Sequence, residues 1–256
     1  PFNDIGFVPT MGSIHKGHLS LIRRSNQVCD KTIVSIFINP KQFNNKKDLK
    51  TYPSNLKKDL SILKKTKKVD FVYVPTFKDV FDNKKKSKIN IKKNDKILCA
   101  KFRKGHFEGV LDVMDRLTKL INPKKIYMGK KDYQQFYLVK NFLENRYKIK
   151  VIGCKTIRNK NKVALSSRNY LLKKDELRIA SEVSKKIIHL KKKLKVKKNI
   201  KNFLFLNKLK IQNLLKIKIE YLELRNINDL KISNSLSNSK LFLAYYIGKV
   251  RLIDNY

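Results

Sequence analysis

Short apolar runs and longer amphipathic stretches take turns along this chain as far as about residue 155, and few folds tolerate that order. Ile5–Val8 reads as a strand. Gly17–Val28 reads as a helix, with Leu19, Ile22 and Val28 at roughly helical spacing. Thr32–Ile38 is apolar on both faces, as a buried parallel strand is. Ser54–Lys65 is amphipathic, with Leu56, Leu60 and Leu63 in the i, i+4, i+7 pattern and Ser54 as the expected N-cap. Val69–Val74 is a strand stopped by Pro75. His106–Ile121 is a helix with Val110, Val113, Leu117 and Leu120 inward, ended by Asn122-Pro123. Lys125–Met128 is a strand, Asp132–Asn145 a helix capped by Asp132, and Ile149–Gly153 a strand. Strand alternating with helix in this way predicts an α/β fold with a doubly wound parallel sheet.

Two stretches depart from that rhythm. Phe77–Lys96 is rich in Lys and poor in apolar residues, and reads as an excursion or hairpin over the surface. Beyond about Thr156 a long basic helix (Lys173–Lys195) and a second helix (Asn199–Leu215) precede β-like runs at Ile217–Leu224 and Leu241–Ile247, the latter continuing to Val250–Ile253. The expected organisation is a first domain over residues 1–156 and a smaller C-terminal α+β domain over residues 157–256. The apolar strand starts almost at Pro1, so a segment upstream is expected.

Charge is the other extreme feature. Lys plus Arg number 61 against 20 Asp plus Glu, a formal net charge of +41. An acidic protein is excluded and a polyanion partner must be weighed. Lys outnumbers Arg about five to one and is scattered, whereas selection for phosphate forks favours Arg. Compositional drift therefore explains the excess better than nucleic-acid binding, and short anionic substrates fit either way. The basic helix around Lys185–Leu194 reads as a solvated face rather than a membrane-surface element. Cys29, Cys99 and Cys154 lie far apart with no CxxC pair, against a disulfide framework or structural zinc and in favour of a reducing cytoplasm. The longest clean apolar run, Ile33–Ile38, is too short for a membrane span.

Four segments carry chemistry. Pro9-Thr-Met-Gly-Ser-Ile-His-Lys-Gly-His18 lies between the first strand and the first helix, at the strand's carboxyl end, where ligands bind in such sheets. A helix N-terminus there favours phosphate, and His15 and His18 share a face at its start. Two of the four histidines fall in this loop, without a third ligand for a metal. Ser35–Phe43 ends a buried strand at Pro40 and leaves the amides of Asn39 and Gln42 at the same sheet edge. Met128–Gln135 repeats the strand-Gly-helix pattern, with Lys130 or Lys131 able to reach phosphate and Gln135 on the first helical turn. Ala164–Asn169 offers Ser166, Ser167 and Arg168, suited to a triphosphate clamp or equally to a helix-capping turn.

Taken together these segments resemble the pantothenate synthetase (pantoate–β-alanine ligase) family. PTMGxxHxGH, SIFxNPxQF, YPxxLxxD (Tyr52 to Asp59), GHFxGV (Gly105 to Val110), GxKDxQQ and LSSRN occur in order, and Arg251–Asn255 extends the likeness to the end. The resemblance implies a Rossmann-like nucleotidyltransferase domain, a C-terminal lid domain and a homodimer. It implies condensation of (R)-pantoate with β-alanine to pantothenate, driven by ATP with Mg²⁺ through a pantoyl adenylate. Met11, Gly12, Ser13, Ile14, His15, Lys16, Gly17 and His18 would bind ATP, with His15, His18 and Lys131 as the catalytic set and His18 the usual proton donor. Gly129, Lys130, Lys131 and Asp132 would also bind ATP. So would Ile157, near the adenine, and Leu165, Ser166, Ser167 and Arg168, closing over the phosphates. Gln42 would contact pantoate and β-alanine, and Gln135 pantoate. Arg103 and Asp59 match positions near the pantoate and metal regions, and no residue is assigned as a metal ligand. Lys130 and Lys104 stand where the family usually has Glu and Pro.

Two other readings remain at this level. One is a nucleotidyltransferase passing AMP to a phosphate-bearing cofactor precursor, which the HxGH loop does not exclude. The other is a nucleic-acid binder driven by charge, which leaves the ordered motifs unexplained.

Overall fold

The computed structural model describes residues 4–81, 89–196 and 199–256. The chain divides into two compact units, Pro1–Ile157 and Arg158–Tyr256.

The first unit runs β1 (Ile5–Thr10), α1 (Lys16–Asn26), β2 (Lys31–Ile36), α2 (Lys46–Lys50), α3 (Leu56–Thr66), β3 (Phe71–Tyr73), α4 (Phe77–Phe81), α5 (Cys99–Phe102), α6 (His106–Ile121), β4 (Lys125–Gly129), α7 (Tyr133–Glu144) and β5 (Lys150–Cys154). Its five strands lie in the order β3-β2-β1-β4-β5, and every pairing is parallel. The chain winds outward from β1 to β3, returns to set β4 on the other side of β1, and moves on to β5. Right-handed crossovers in opposite directions put helices on both faces. The strand centres are apolar because both faces are covered: Phe7, Val8, Val34, Ile126 and Tyr127 are fully buried. Leu21 and Ile22 of α1 and Leu63 of α3 pack with Val8, Val34 and Tyr127, each apolar side chain contributing about 1.5–3 kcal/mol.

Helix α6 has the bounds expected from periodicity and stops at Asn122, whose left-handed backbone (φ 49°) ends the turn before Pro123. Elsewhere the ends shift. Asn55, not Ser54, caps α3, its side-chain oxygen accepting from the Lys58 N–H at 3.0 Å. Asp132 stands at the start of α7 but makes no cap bond, because its carboxylate faces the Lys131 ammonium at 3.2 Å. The strand expected over Val69–Val74 shortens to Phe71–Tyr73. In the Phe77–Lys96 stretch, helix α4 and a 3-10 turn at Lys93–Asp95 occupy part of what was expected as an excursion, while residues 82–88 lie outside the described residues.

The second unit contains α8 (Lys174–Lys193), α9 (Ile200–Leu215) and an antiparallel sheet β6-β7-β8 (Lys218–Asn226, Ser239–Ile247, Val250–Asn255). What read as one continuing run is a hairpin, turned at Gly248 (φ 54°). Ala180, Val183, Ile187 and Leu190 of α8 and Leu204 and Ile211 of α9 form its core with Leu222, Leu241 and Leu243. Among the described residues no helix is long and apolar enough to cross a membrane.

Candidate functional site

In a parallel sheet ordered β3-β2-β1-β4-β5 the winding reverses between β1 and β4. The loops leaving these two strands diverge, and the crevice between them at the carboxyl edge is where such sheets bind ligands. The segment after β1 is Met11–His15, and the segment after β4 is a 3-10 turn at Lys130–Asp132.

The first loop is held from inside. Gly12 and Ser13 both adopt left-handed backbone (φ 79° and 53°). The Gly12 N–H donates to Thr10 Oγ1 at 3.2 Å, and that hydroxyl donates to the Ser35 carbonyl at 2.7 Å. The N–H groups of Ser13 and Ile14 donate to the two carboxylate oxygens of Asp59 at 2.8 and 2.7 Å. His15 is the N-cap of α1, its Nδ1 accepting from the Gly17 N–H at 3.1 Å, while the His15 N–H donates to His18 Nδ1 at 3.4 Å. Amides expected to be free for phosphate at this helix start are thus partly taken up by the loop's own side chains.

This cap fixes two protons. A backbone N–H only donates, so each Nδ1 is an acceptor, and a neutral ring then carries its hydrogen on Nε2. Both rings are held neutral. The His15 pKa is pushed down from 6.5 to about 4, first by desolvation and then by the Lys131 charge. The His18 pKa is pushed down to about 3, first by desolvation and then by His15. Lys131 and Asp132 lie close enough to act electrostatically on both imidazoles, so the segments after β1 and β4 neighbour one another. The Lys131 ammonium is largely enclosed and paired with Asp132.

The adjacent glutamines that follow have separate fates. Gln134 is buried, accepting from the Cys99 N–H at 3.0 Å and donating to the carbonyls of Asp95 and Ile97 at 3.1 and 2.8 Å. It clamps the chain that leads to α5. Gln135, the expected substrate contact, is half-buried and makes no side-chain hydrogen bond among the described residues, so its amide remains available.

Gln42 lies in the 3-10 turn Pro40–Gln42 after β2. Its Nε2 donates to the Met11 sulfur at 2.8 Å, which joins the NPKQF segment to the first loop. Asn39 Nδ2 reaches Gln42 Oε1 at 3.3 Å and the Gly109 carbonyl at 3.0 Å. From α6, His106 Nδ1 donates to the Gln42 carbonyl at 2.7 Å, and Arg103 Nη1 lies 2.9 Å from His106 Nε2. A Cβ added to Gly109 would stand 2.9 Å from the Gln42 nitrogen, so only glycine lets α6 approach this turn. Asn39, which read with Gln42 as an amide able to orient a polar substrate at the sheet edge, is instead fully buried and braces Gln42; His106 was given no such part by the sequence. The GHFxGV motif carried the signal without its direction.

Ile157, half-buried, closes the first unit. In the second unit Ser166 caps a 3-10 turn over Ser167–Leu171, its hydroxyl accepting from the Arg168 N–H at 3.3 Å, and Asn169 donates to the Ala164 carbonyl at 3.0 Å. The LSSRN segment is therefore a capping turn in its local structure. Leu165 and Arg168 are half-buried beside it.

A doubly wound sheet with imidazoles, a lysine and amides at its switch point defines an α/β enzyme of the nucleotide-using class. A family model for pantoate-beta-alanine ligase matches residues 2–256, and the chain belongs to that family. It is 40% identical over 257 residues to the pantothenate synthetase of Clostridium botulinum, covering 98% of this chain and 90% of that one. The Flavobacterium psychrophilum pantothenate synthetase is 36% identical over 256 residues, with the same coverage of 98% and 90%. The crystal structure of pantothenate synthetase from Thermus thermophilus superposes with a TM-score of 0.93 at 27% identity, covering 100% of this chain and 94% of that one. Pantoate-beta-alanine ligase from Francisella tularensis, solved in complex with beta-gamma ATP and beta-alanine, superposes at 0.81 with 38% identity, covering 99% and 89%.

Proposed function

We propose that this chain condenses (R)-pantoate with β-alanine, using ATP and releasing AMP and pyrophosphate, and that the Met11–His18 loop and Gly129–Asp132 receive the nucleotide. The observation that carries the reading is the pair of neutral imidazoles, each with its Nε2–H fixed, beside Lys131 at the switch point.

Pantoate's carboxylate is ionised near neutral pH, since carboxyl groups titrate at roughly pH 4. It attacks the α-phosphorus without a general base, forming a pantoyl adenylate as the bond to pyrophosphate breaks. The barrier lies in crowding negative charge, and fixed donors lower it because they need no reorganisation. His15 and His18 supply Nε2–H donors and Lys131 a cation. His18 in this state is a hydrogen-bond donor, not an imidazolium giving up a proton. In the second step the neutral amine of β-alanine attacks the acyl carbon, AMP leaves, and the amine's proton passes to solvent or to AMP. Keeping water from the mixed anhydride matters more here than base strength. Gln42, held by Asn39 and His106, and Gln135, with its amide uncommitted, orient the hydroxy acid. We assign Ile157 and Leu165–Arg168 to the nucleotide as well.

Mg²⁺ fits this site only as a partner of the nucleotide. Among the described residues no three His, Cys, Asp or Glu side chains are grouped to hold an ion. Asp132 is the carboxylate beside the imidazoles. A donor set so sparse suits a cation bound chiefly through phosphate oxygens. When bound, Mg²⁺ neutralises charge on the triphosphate.

We also infer a homodimer. Strand β3 is an edge strand carrying an exposed Phe71, and the exposed Leu56 and Leu60 of α3 add apolar surface in the same unit. Sedimentation that returns a monomer at micromolar concentration would overturn this. Cys29, Cys99 and Cys154 are thiols, and we infer a reducing cytoplasm.

ATP–pyrophosphate exchange tests the reaction class. Exchange that requires pantoate and not β-alanine is expected. Exchange indifferent to pantoate, or supported by a phosphorylated cofactor precursor instead, would overturn the reading.

A further inference from the structure

We propose that Asp59 is a positioning residue: its carboxylate is the peg on which the nucleotide loop is hung. This rests on the reading of Met11–His18 as the nucleotide site.

Asp59 lies in the first turn of α3, forty-odd residues from the loop in sequence, and only 3% of it is exposed. Both of its oxygens are used, Oδ2 by the Ser13 N–H at 2.8 Å and Oδ1 by the Ile14 N–H at 2.7 Å. Hydrogen bonds to an ionised acceptor are the strong ones. They act where the backbone is least content, since Ser13 is a non-glycine residue at φ 53° directly after Gly12 at φ 79°. The fit is close: a Cβ on Gly12 would stand 2.8 Å from Asp59 Oδ2. The next residue along, His15, is the cap whose ring and whose N–H set the proton positions of the imidazole pair. Asp59 therefore acts through the loop. It holds Ser13 and Ile14 so that His15 and His18 present Nε2–H in one direction before any nucleotide arrives. The carboxylate of the YPxxLxxD motif thereby gains a role that needs no bound ion.

Two variants test this. Asp59→Asn offers one acceptor where two are needed and turns an NH₂ toward a backbone N–H. Gly12→Ala keeps the carboxylate chemically intact but displaces it from the loop, and adds the strain of a side chain at φ 79°. Amide hydrogen exchange at Ser13 and Ile14 is measured without nucleotide, so its outcome stands apart from the functional reading, which wild-type exchange tests separately. Both variants are expected to keep the wild-type far-UV spectrum and to exchange these two amides at least about 10-fold faster. Adenylate formation in a single turnover is expected to fall by about 10²-fold, the scale of a misplacement near 1 Å. The Mg²⁺ concentration for half-maximal activity is expected to stay unchanged. Retained amide protection in Asp59→Asn overturns the proposal, as does activity restored by excess Mg²⁺, which would make the carboxylate a metal ligand. If Asp59→Asn does not fold, Gly12→Ala decides, and failure of both to fold reduces Asp59 to a folding residue.

Discussion

The imidazole rings of His15 and His18 stack, with centroids 4.0 Å apart and planes 22° from parallel. Two cationic rings at that distance repel, so the stack is compatible with one charge at most, and both rings are neutral at pH 7 in the free protein. Nitrogen-detected NMR of the free protein is expected to show Nε2 protonated and Nδ1 bare in both, with protonation only near pH 4 for His15 and pH 3 for His18. Titration of either ring near its ordinary value of 6.5 would refute the locked pair.

The same shifts set a stability trend. An unfolded histidine takes up its proton near pH 6.5, while the folded rings do so at about 4 and 3. Between those values the unfolded state binds more protons, so these two groups destabilise the fold as pH falls from 6.5. In denaturant titrations His18→Gln is expected to lose stability less steeply than the wild type between pH 6.5 and 4. Parallel curves would contradict it.

Removing the donor itself is a kinetic experiment. His18→Ala is expected to slow adenylate formation by about 10²–10³-fold, the scale seen when one preorganised donor is lost. Rapid-quench measurement of the pantoyl adenylate reads this directly, and a wild-type single-turnover rate would remove His18 from the first step.

Gly17 and Gly109 are expected to be intolerant of a methyl group for separate reasons. A Cβ on Gly17 would stand 2.7 Å from the His15 ring and dislodge the cap, whereas one on Gly109 would press on the backbone at Gln42. Gly17→Ala is therefore expected to depress kcat for adenylation, and Gly109→Ala to raise the KM for pantoate, each by up to about 10²-fold. Identical kinetic patterns from the two would argue against separate nucleotide and acid subsites.

In the second unit Arg158 forks onto the Asp254 carboxylate at 2.7 and 2.8 Å and lies 4.3 Å from the Tyr256 ring centroid. Arg158→Ala leaves a buried carboxylate unpaired, a change worth about 3–5 kcal/mol. Urea unfolding is expected to register most of it, and Arg158→Lys to restore the charge but not the fork, and so to recover part of the stability.

Much of the fold was legible because its signals are local. Helix α6 announces itself by Val110, Val113 and Leu117 on one stripe and a stop at Asn122-Pro123, although Leu120, read as inward, is exposed in the last turn, and β2 by an apolar run too short for a helix. The caps were less legible, since Ser54 and Asn55 are both good capping residues, and it is Asn55 that receives the Lys58 N–H. The motifs singled out the loop after β1, but not what holds it. Nothing near Asp59 in sequence tells that its carboxylate receives Ser13 and Ile14.

The order of apolar runs, glycines and histidines was enough to set a doubly wound sheet with its motif-bearing loops at the strand ends, because periodicity and turn chemistry act over a few residues. Which of two neighbouring glutamines braces the chain and which stays available, and which nitrogen of each imidazole bears hydrogen, was decided by tertiary structure. Those properties depend on donors and acceptors that meet only after strands and helices far apart in the chain have packed together.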